Sequence, residues 1–317
     1  MPAAGGRGRP QARRDRGASQ EERLSPHESL RLAGRVARQA RERGMSLMVP
    51  GARLLAVCAA VEEEIEKSGA HPAFPAQSSR NDVAAHYCPP PDDATEYASG
   101  DLAKLDLGVH VDGYVVDTAV TVEVGGVSRR SELVDGTRAA LDAAIALARP
   151  GVPVRELSAV IEREIVGRGA RPVRNIGGHG VARWKVHCPP PIPNVPENGR
   201  DRLAVGMTLA IEPFATEGEG LVAETGRAEV FRFDPRHPGD EGIEPLLMRR
   251  LRDFRGLPFS RRQLGGFPLG AIDEALKLLA VAGGLQAYPP LVEVSGAPVA
   301  QTEHTVLITE GGAEVLT

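Results

Sequence analysis

The stretch LDLGVHVDGYVVD, Leu105 to Asp117, predicts a β-hairpin that carries two carboxylates on one face. Its central Asp-Gly pair is flanked by apolar runs, which is a strong signal for a two-residue turn. With that turn, Gly108 pairs with Asp117, and Asp106 shares the face of Gly108 because side chains alternate along a strand. The two aspartates therefore lie diagonally across the hairpin, with backbones roughly 7–8 Å apart.

This pair of carboxylates indicates a bound cation. Two such groups held close together repel each other unless positive charge lies between them. Gly108 has no side chain and leaves room on the shared face for cations. The hairpin therefore predicts half of a metal site.

The composition of the 317-residue chain is that of a globular protein, with 42% hydrophobic and 25% charged residues. This length corresponds to roughly two domains, or one large one. The formal net charge of −4 argues against nucleic-acid binding by the whole chain. No apolar run reaches the length of a membrane span. The three cysteines cannot all pair within one chain, which favours a reducing cytoplasm, and a monomer is the default expectation.

The first part of the chain divides into a tail and four helices. Residues 1–24 are rich in Gly, Ala, Pro and Arg and predict a disordered tail. Its arginines offer a contact to the ribosome, although a purely solvated tail is the plainer alternative. The segment Ser25-Pro26-His27-Glu28 predicts a capped helix start, with helical spacing up to Gly44. Further helices are predicted near residues 54–69, 130–148 and 154–167.

Residues 236–290 differ from their surroundings and predict a small helical insert. The flanking segments, 25–235 and 291–317, then form one catalytic domain, and β-rich sequence returns near its end. The arginines of the insert suggest a winged-helix module that binds DNA as one alternative. A packed insert with a solvated basic face is favoured, with no specific DNA partner. These arginines are Arg249, Arg250, Arg252, Arg255, Arg261 and Arg262.

Two sequence patterns recur about a hundred residues apart. HYCPPP begins at His86, and HCPPP begins at His187. GDLAKLD ends at Asp106, and GMTLAIE ends at Glu212. The repetition predicts two duplicated halves related by a pseudo-twofold axis, with chance similarity in a Pro-rich chain as the alternative. Duplication would bring carboxylates from both halves toward a shared centre.

Three further segments supply candidate metal ligands. They are NIGGHG with His179, AIEPF with Glu212 and QTEHT with Glu303. A charge in apolar strand sequence is costly unless it is paired or bound to metal. Four carboxylates and one imidazole suit two divalent cations such as Co, Mn, Fe or Zn. Two metals roughly 3.5–4 Å apart generate hydroxide at neutral pH and polarise a carbonyl group, which is a standard arrangement for hydrolysis.

As a set, these motifs resemble the methionine aminopeptidases, a family of pita-bread metallohydrolases, over residues 26–317. The resemblance implies an α+β pita-bread fold with pseudo-twofold halves. It also implies that Asp106 chelates one metal, that Asp117 and Glu303 bridge both, and that His179 with Glu212 holds the second. The ninety residues between Glu212 and Glu303 match the helical insert of the type II enzymes, in their short archaeal form.

The resemblance also assigns substrate contacts and a reaction. His86 and His187 match the two active-site histidines, Phe74 matches a wall of the methionine pocket, and Val186 lies nearby. The implied enzyme removes the initiator methionine from nascent chains whose second residue is small. A hydroxide that bridges the metals attacks the first peptide bond, while Glu212 shuttles its proton.

Some residues depart from the family pattern, and other functions stay open. Thr302 replaces an aromatic residue that is common in type II, which predicts a different pocket edge. Cys88 and Cys188 closely follow the active-site histidines, where small or polar residues are more usual. Alternative functions are a proline peptidase of the same fold, creatinase-like hydrolysis, and a catalytically inactive factor that binds the ribosome or RNA.

Overall fold

The computed structural model describes residues 24–126 and 131–317. The predicted tail, residues 1–24, lies outside this part of the chain except for its last residue. Six α-helices and one 3-10 helix occur within the described ranges. None of these helices has both the length and the apolar character needed to cross a bilayer. The α-helices are α1 Pro26–Leu47, α2 Leu54–Lys67, α3 Ser131–Leu147, α4 Val154–Val166, α5 Pro245–Asp253 and α6 Leu269–Val281, and the 3-10 helix is Arg261–Leu264.

Helix α1 begins as its sequence predicts. The Ser25 hydroxyl accepts a hydrogen bond from the Glu28 amide, and the Glu28 carboxylate accepts one from the Ser25 amide. The helix does not stop at Gly44 and continues to Leu47. A side chain at position 44 would collide with Leu105, so this glycine allows the helix to pack closely on the sheet.

Sixteen strands form the β-structure of the described residues. The largest sheet has the order β1-β3-β4-β15-β8-β6-β7, and β16 pairs with β15. The first eight strands are β1 His71–Arg80, β2 Val83–Ala85, β3 Leu102–Val111, β4 Tyr114–Glu123, β5 Arg171–Pro172, β6 Gly177–Ala182, β7 Lys185–Pro193 and β8 Thr208–Ile211. The others are β9 Phe214–Thr216, β10 Val222–Glu224, β11 Val230–Phe233, β12 Leu285–Tyr288, β13 Leu291–Glu293, β14 Val299–Gln301, β15 Glu303–Thr309 and β16 Gly312–Val315.

The hairpin β3–β4 has the predicted register. Val111 pairs with Tyr114, and Gly108 pairs with Asp117. Asp112 has a φ of 50°, a left-handed conformation that Asp tolerates in a tight turn of this kind. The Asp-Gly turn therefore fixes which residues of the two strands face the same side.

The sheet is built from two similar halves. Strands β1-β3-β4 form one half, and β6-β8-β15 form the other in the mirrored order. The loops repeat as well, because Gly51 donates to the carbonyl of Tyr97 at 2.8 Å and Gly151 donates to that of Leu203 at 2.8 Å. These glycines precede α2 and α4, which occupy equivalent places. The predicted pseudo-twofold halves are confirmed.

The repeated GDLAKLD and GMTLAIE segments occupy equivalent positions in the two halves. Gly100 precedes β3 and donates to the carbonyl of Val124 at 2.8 Å. Gly206 precedes β8 and donates to the carbonyl of Ile308, also at 2.8 Å. Each glycine thus joins its strand to the neighbour that pairs with it, so the similarity reflects structure rather than chance.

Apolar cores lie between the sheet and two helix pairs. Helices α1 and α2 cover the first half, where Leu105 and Leu107 are fully buried. Helices α3 and α4 cover the second half, where Leu209 and Ile211 are fully buried. Burying helices and sheet against each other in this way stabilises both layers. The predicted α+β class is confirmed.

Residues between β10 and β13 form a third apolar cluster, which includes Phe231, Leu251 and Leu279. Two of the arginines expected on a solvated face are withdrawn from it: Arg261 is buried and Arg262 is half-buried. Arg261 pairs with Glu229, and Arg262 pairs with Glu62 of α2 at 2.7 Å. Each guanidinium has its own carboxylate, which offsets the cost of removing its charge from water.

Candidate active site

One cavity lies where the two halves of the sheet meet. All nine residues predicted for the site line it, and they come from both halves. They are Phe74, His86, Asp106, Asp117, His179, Val186, His187, Glu212 and Glu303.

The first half supplies two carboxylates from one hairpin. Asp106 on β3 and Asp117 on β4 face the cavity, as the predicted register requires. The backbone of Asp117 is held by Thr305 of the other half, because its amide donates to the threonine hydroxyl at 2.7 Å. The same hydroxyl donates to the Asp117 carbonyl at 2.8 Å. The position of Asp117 is therefore fixed across the seam between β4 and β15.

The second half supplies an imidazole and two carboxylates from three strands. His179 lies on β6, Glu212 follows β8, and Glu303 begins β15. The Nε2 atom of His179 lies 3.6 Å from Oε1 of Glu212 and 3.8 Å from Oδ2 of Asp117. A side chain at Gly178 would strike the carbonyl oxygen of Ala210, so only glycine lets β6 approach β8 closely here.

The arrangement of these side chains fits divalent cations. Oxygen atoms of Asp106, Asp117 and Glu303 are buried without a hydrogen-bond partner among the described residues. Ligand atoms of Asp117, His179 and Glu303 all lie within 4.8 Å of one another. Buried acceptors without donors are costly, and hard cations are the partners that such oxygens take.

The electrostatics of the carboxylates support the same conclusion. Burial raises the pKa of Asp106 to about 7. Burial and then the charges of neighbouring carboxylates raise the pKa of Asp117, Glu212 and Glu303 well above the ordinary values. Four acidic groups in one enclosed place oppose their own ionisation, and positive charge between them removes that opposition.

His179 is suited to act as a neutral ligand. Burial, followed by the nearby His187, lowers the pKa of His179 to about 3. Its Nδ1 lies 3.2 Å from the carbonyl oxygen of Gly180, which assigns the ring proton to Nδ1. The lone pair of Nε2 then points toward Glu212 and Asp117.

Two further histidines flank this cluster. Burial, followed by the charge of His187, lowers the pKa of His86 to about 4. His86 has a φ of 67°, a strained conformation that is often found at functional sites. Its ring meets Tyr288 edge-on at 5.8 Å between centroids. His187 is exposed and lies with its ring 4.2 Å from that of His179, and partial desolvation by the surrounding atoms, followed by the charge of Arg232, lowers its pKa.

The apolar wall corrects one prediction about Gly108. Phe74 on β1 pairs with Gly108, and a side chain at position 108 would overlap the Phe74 ring. The space beside this glycine therefore holds the aromatic ring and not a cation. Phe74 and Val186 belong to one buried apolar cluster on this side of the cavity.

The family departures have local explanations. Thr302 lies outside the cavity lining, and its hydroxyl shares a hydrogen bond of 2.8 Å with Thr137 on α3. The pocket edge is therefore not formed by this residue. Cys88 is buried, its sulfur accepts from Arg262 at 3.4 Å, and burial raises the pKa of its thiol to about 11. Cys188 is only partly buried.

Several residues in and around the cavity were not predicted from the sequence. Gln301 does not line the cavity but donates to Glu212 at 3.3 Å, and the lining residue Tyr288 comes from the strand that follows α6. Gln301 lies two residues before Glu303, so alternation along extended chain was a signal for it. No sequence pattern marks Tyr288. The others are Gln77, Ala85, Ile176, Gly177, Phe214, Val230, Pro258 and Leu291.

Buried carboxylates and a neutral imidazole beneath an apolar wall define a metal-dependent hydrolase with a mixed α/β architecture. The model of metallopeptidase family M24 matches residues 28–310. A methionine aminopeptidase of Thermococcus kodakarensis is 42% identical over 301 residues, which cover 93% of this chain and 100% of that one. The chain belongs to metallopeptidase family M24, in the group of the methionine aminopeptidases.

Other comparisons agree. A methionine aminopeptidase of Archaeoglobus fulgidus is 40% identical over 291 residues and covers 92% of this chain and 98% of its own. The crystal structure of methionine aminopeptidase from Thermotoga maritima superimposes with a TM-score of 0.67 at 28% identity, covering 92% of this chain and 95% of that one. The predicted pita-bread fold and the metallopeptidase class are confirmed.

Proposed function

We propose that this protein removes the initiator methionine from nascent polypeptides whose second residue is small. One observation carries the proposal. Three carboxylate oxygens that have no hydrogen-bond partner among the described residues share one cavity with a neutral imidazole and with an apolar wall that suits a methionine side chain. Metal-dependent hydrolysis of a peptide bond uses the first feature, and selection of methionine uses the second.

The proposed cofactor is a pair of divalent cations, Co, Mn, Fe or Zn. Asp106 would hold one, Asp117 and Glu303 would bridge both, and His179 with Glu212 would hold the second. When bound, such cations lower the pKa of a water molecule to near neutrality and polarise a carbonyl group. The unpartnered oxygens and the Nε2 lone pair of His179 support this assignment.

The proposed proton path uses Glu212 and the two outer histidines. Glu212 would accept a proton during attack and return it to the leaving amine, and Gln301 holds its carboxylate at 3.3 Å. His86 and His187 have lowered pKa values and stay neutral at neutral pH. Neutral imidazoles can donate hydrogen bonds to a developing oxyanion and orient the peptide.

Methionine is proposed to occupy the side of the cavity lined by Phe74 and Val186, both buried. An unbranched thioether adapts well to such a wall. Apolar pockets discriminate side-chain size only modestly, so a steric limit on the second residue is expected.

The wider biological setting is also a proposal. The protein would act as a monomer in the cytoplasm on nascent chains, and its N-terminal arginines would contact the ribosome. The three cysteines are free thiols, which supports a reducing compartment. Residues 236–290 would form the type II insert, with residues 25–235 and 291–317 as the catalytic domain.

The test is methionine release from Met-Ala-Ser by metal-stripped protein after adding Co, Mn, Fe or Zn, with Ala-Pro-Ala alongside. Metal-dependent release from Met-Ala-Ser alone is expected. The variant His179→Ala should lose turnover while its circular dichroism spectrum is unchanged. Cleavage of Ala-Pro-Ala alone would indicate a proline peptidase. No cleavage of either by folded protein would favour the binding-factor alternative.

A further inference from the structure

A second groove opens from the mouth of the proposed active site. It shares four lining residues with the cavity, and they form the passage between the two spaces. These residues are Val186, His187, Pro258 and Tyr288. One wall comes from the turn between β6 and β7, and the other comes from β11, β12 and the loop after α5.

The groove is lined by five cationic side chains and one carboxylate, although the whole chain has a net charge of −4. Asp234 is the carboxylate, and it is already paired with Arg236 at 2.9 Å. Arg183 is paired with Asp112 at 2.8 Å. The remaining cations, Lys185, Arg232 and Arg255, form no close ion pair within the described part of the chain, although the charge of Arg232 also acts on Asp234.

Neighbouring groups hold two of these three cations in place without neutralising them. Arg232 donates to the hydroxyl of Tyr288 at 3.2 Å and to Gln286 at 2.9 Å. The guanidinium of Arg255 stacks on Trp184, 4.2 Å from the ring centre. Trp184 and Arg255 have φ values of 60° and 54°, so the backbone is strained at both sides of this stack.

We propose that this groove binds acidic residues of the peptide substrate downstream of the second position, and this rests on the proposed function. Continuity with the cavity favours this occupant, because the four shared residues open a path past His187 for a peptide bound for cleavage. Each extended residue adds about 3.3 Å, so a peptide that follows this path brings its later residues into the groove. Unpaired cations at the wall favour carboxylates there.

A nucleic acid is the less favoured occupant. Binding of single strands relies on aromatic faces that stack with bases. The groove contains Trp184 and Tyr288, but Arg255 covers one face of the tryptophan ring. The rings of Trp184 and His110 also meet edge-on, with their centres 4.9 Å apart. The aromatic surface is therefore engaged within the protein.

The test compares metal-loaded protein on Met-Ala-Ser-Asp-Asp-Gly, on the isosteric Asn-Asn peptide and on the Lys-Lys peptide. We expect kcat/KM for the Asp-Asp peptide to exceed that for Asn-Asn by about fivefold and for Lys-Lys by more, mainly through KM. The advantage should fall below about twofold at 0.5 M salt, because ions screen exposed charges at about that concentration.

Variants separate the groove from general charge effects. Lys185→Gln and Arg255→Gln should each reduce the Asp-to-Asn ratio about two- to threefold. Arg249→Gln removes the same charge from an exposed position outside the groove and should preserve the ratio. Equal kcat/KM for the Asp and Asn peptides, or an Asp-to-Asn ratio that is unchanged in both groove variants, would overturn this inference and leave the proposed function intact.

Two remaining outcomes are distinct. Inhibition by oligouridylate without any difference among the peptides would assign the groove to nucleic acid and overturn the inference. No methionine release from any peptide by folded, metal-loaded protein would overturn the proposed function, and this inference with it.

Discussion

The two halves of the sheet contribute to one site by different means. The first half places Asp106 and Asp117 through a single hairpin with a two-residue turn. The second half brings together His179, Glu212 and Glu303 from three separate segments, and ninety residues lie between the last two. The geometry of the first half is set locally by one turn and should tolerate substitutions, whereas that of the second half depends on pairing between distant segments. Equivalent substitutions in the two halves should therefore have unequal effects on stability and turnover.

The largest expected effect is at the seam, where both halves meet. Asp117→Asn keeps the shape of the side chain but removes a proposed bridging carboxylate. We expect methionine release to fall by at least about 100-fold, since even outer partners of metal ligands cost 10–100-fold. Peptide assays measure the loss of methionine release, and isothermal titration with Co measures the accompanying loss of metal affinity.

The thermal stability of the metal-free Asp117→Asn variant should not follow its loss of activity. The thermal midpoint of metal-free Asp117→Asn should not fall, because one of four clustered acidic groups is gone. Asp112→Asn, in the turn of the same hairpin, is the control and should keep turnover of Met-Ala-Ser within about twofold. A clear fall in the midpoint would contradict the electrostatic account.

The second effect tests the ion pair that links the 3-10 helix Arg261–Leu264 to α2 of the first half. Arg262→Met removes the ion-pair partner of the half-buried Glu62 of α2, whose carboxylate then keeps only the hydrogen bond from the Ala76 amide among those of the described residues. Breaking a buried ion pair in this way should lower the free energy of unfolding by about 3–5 kcal/mol. The double variant Glu62→Gln with Arg262→Met should recover most of that loss, as measured by urea unfolding.

The loss caused by Arg262→Met should depend on pH. Burial raises the pKa of Glu62 even though Arg262 opposes the shift, and the variant removes that opposition. A carboxyl group with a raised pKa contributes stability that is present at low pH and is lost as pH rises through the folded pKa. The deficit relative to the parent protein should therefore be smallest near pH 4 and grow toward pH 8. A constant deficit would contradict this account.

The third effect compares one glycine from each half. Gly178→Ala places its methyl group against the backbone carbonyl of Ala210, which has no rotamer to change. Gly108→Ala meets the ring of Phe74, which can turn aside. We expect about 1–3 kcal/mol of destabilisation for Gly108→Ala and more for Gly178→Ala, measured by chemical denaturation.

A second substitution distinguishes the two glycines further. Phe74→Leu should relieve the strain of Gly108→Ala, and because it changes the apolar wall it should also raise KM for methionine peptides. Gly178→Ala together with Phe74→Leu should show no such relief, because the clash there is with backbone. Equal rescue of both glycine variants would show that the halves do not differ as described.

The smallest effect concerns the hydroxyl groups at the seam. Thr305→Val removes the acceptor of the Asp117 amide. We expect a loss of about 1–3 kcal/mol in stability and about tenfold in Co affinity. Thr309→Val is the matched control on β15, since the Thr309 hydroxyl donates only to the carbonyl of Gly312 at 2.8 Å. Equal losses of Co affinity in both variants would contradict a specific role for the seam.

The sequence predicts the first half of the site better than the second for a physical reason. An Asp-Gly turn fixes the register of its own strands, so Asp106 and Asp117 could be placed from local pattern. The pairing of Glu303 with Ala119 joins segments far apart in the chain and has no local signal. The residues of QTEHT marked Glu303 as a candidate ligand, but its partners across the sheet became known only from the structure.

The errors have the same origin. Whether Gly108 faces open space depends on β1, which pairs with β3 and carries Phe74 over that position. Likewise, Gly44 reads as a helix stop, but contact with Leu105 gives it a packing role. Arg261 and Arg262 look like surface charges until their partners, distant in sequence, are known.

Trp184 is the only tryptophan of the chain, and it lies at the wall of the basic groove beneath Arg255. Indole emission depends on nearby charges and on exposure to water. The intrinsic fluorescence of the protein therefore comes from one known position, with no background from other indoles. A peptide that displaces Arg255 or shields Trp184 will change the wavelength or intensity of that emission, so groove occupancy can be followed without a label and apart from catalysis.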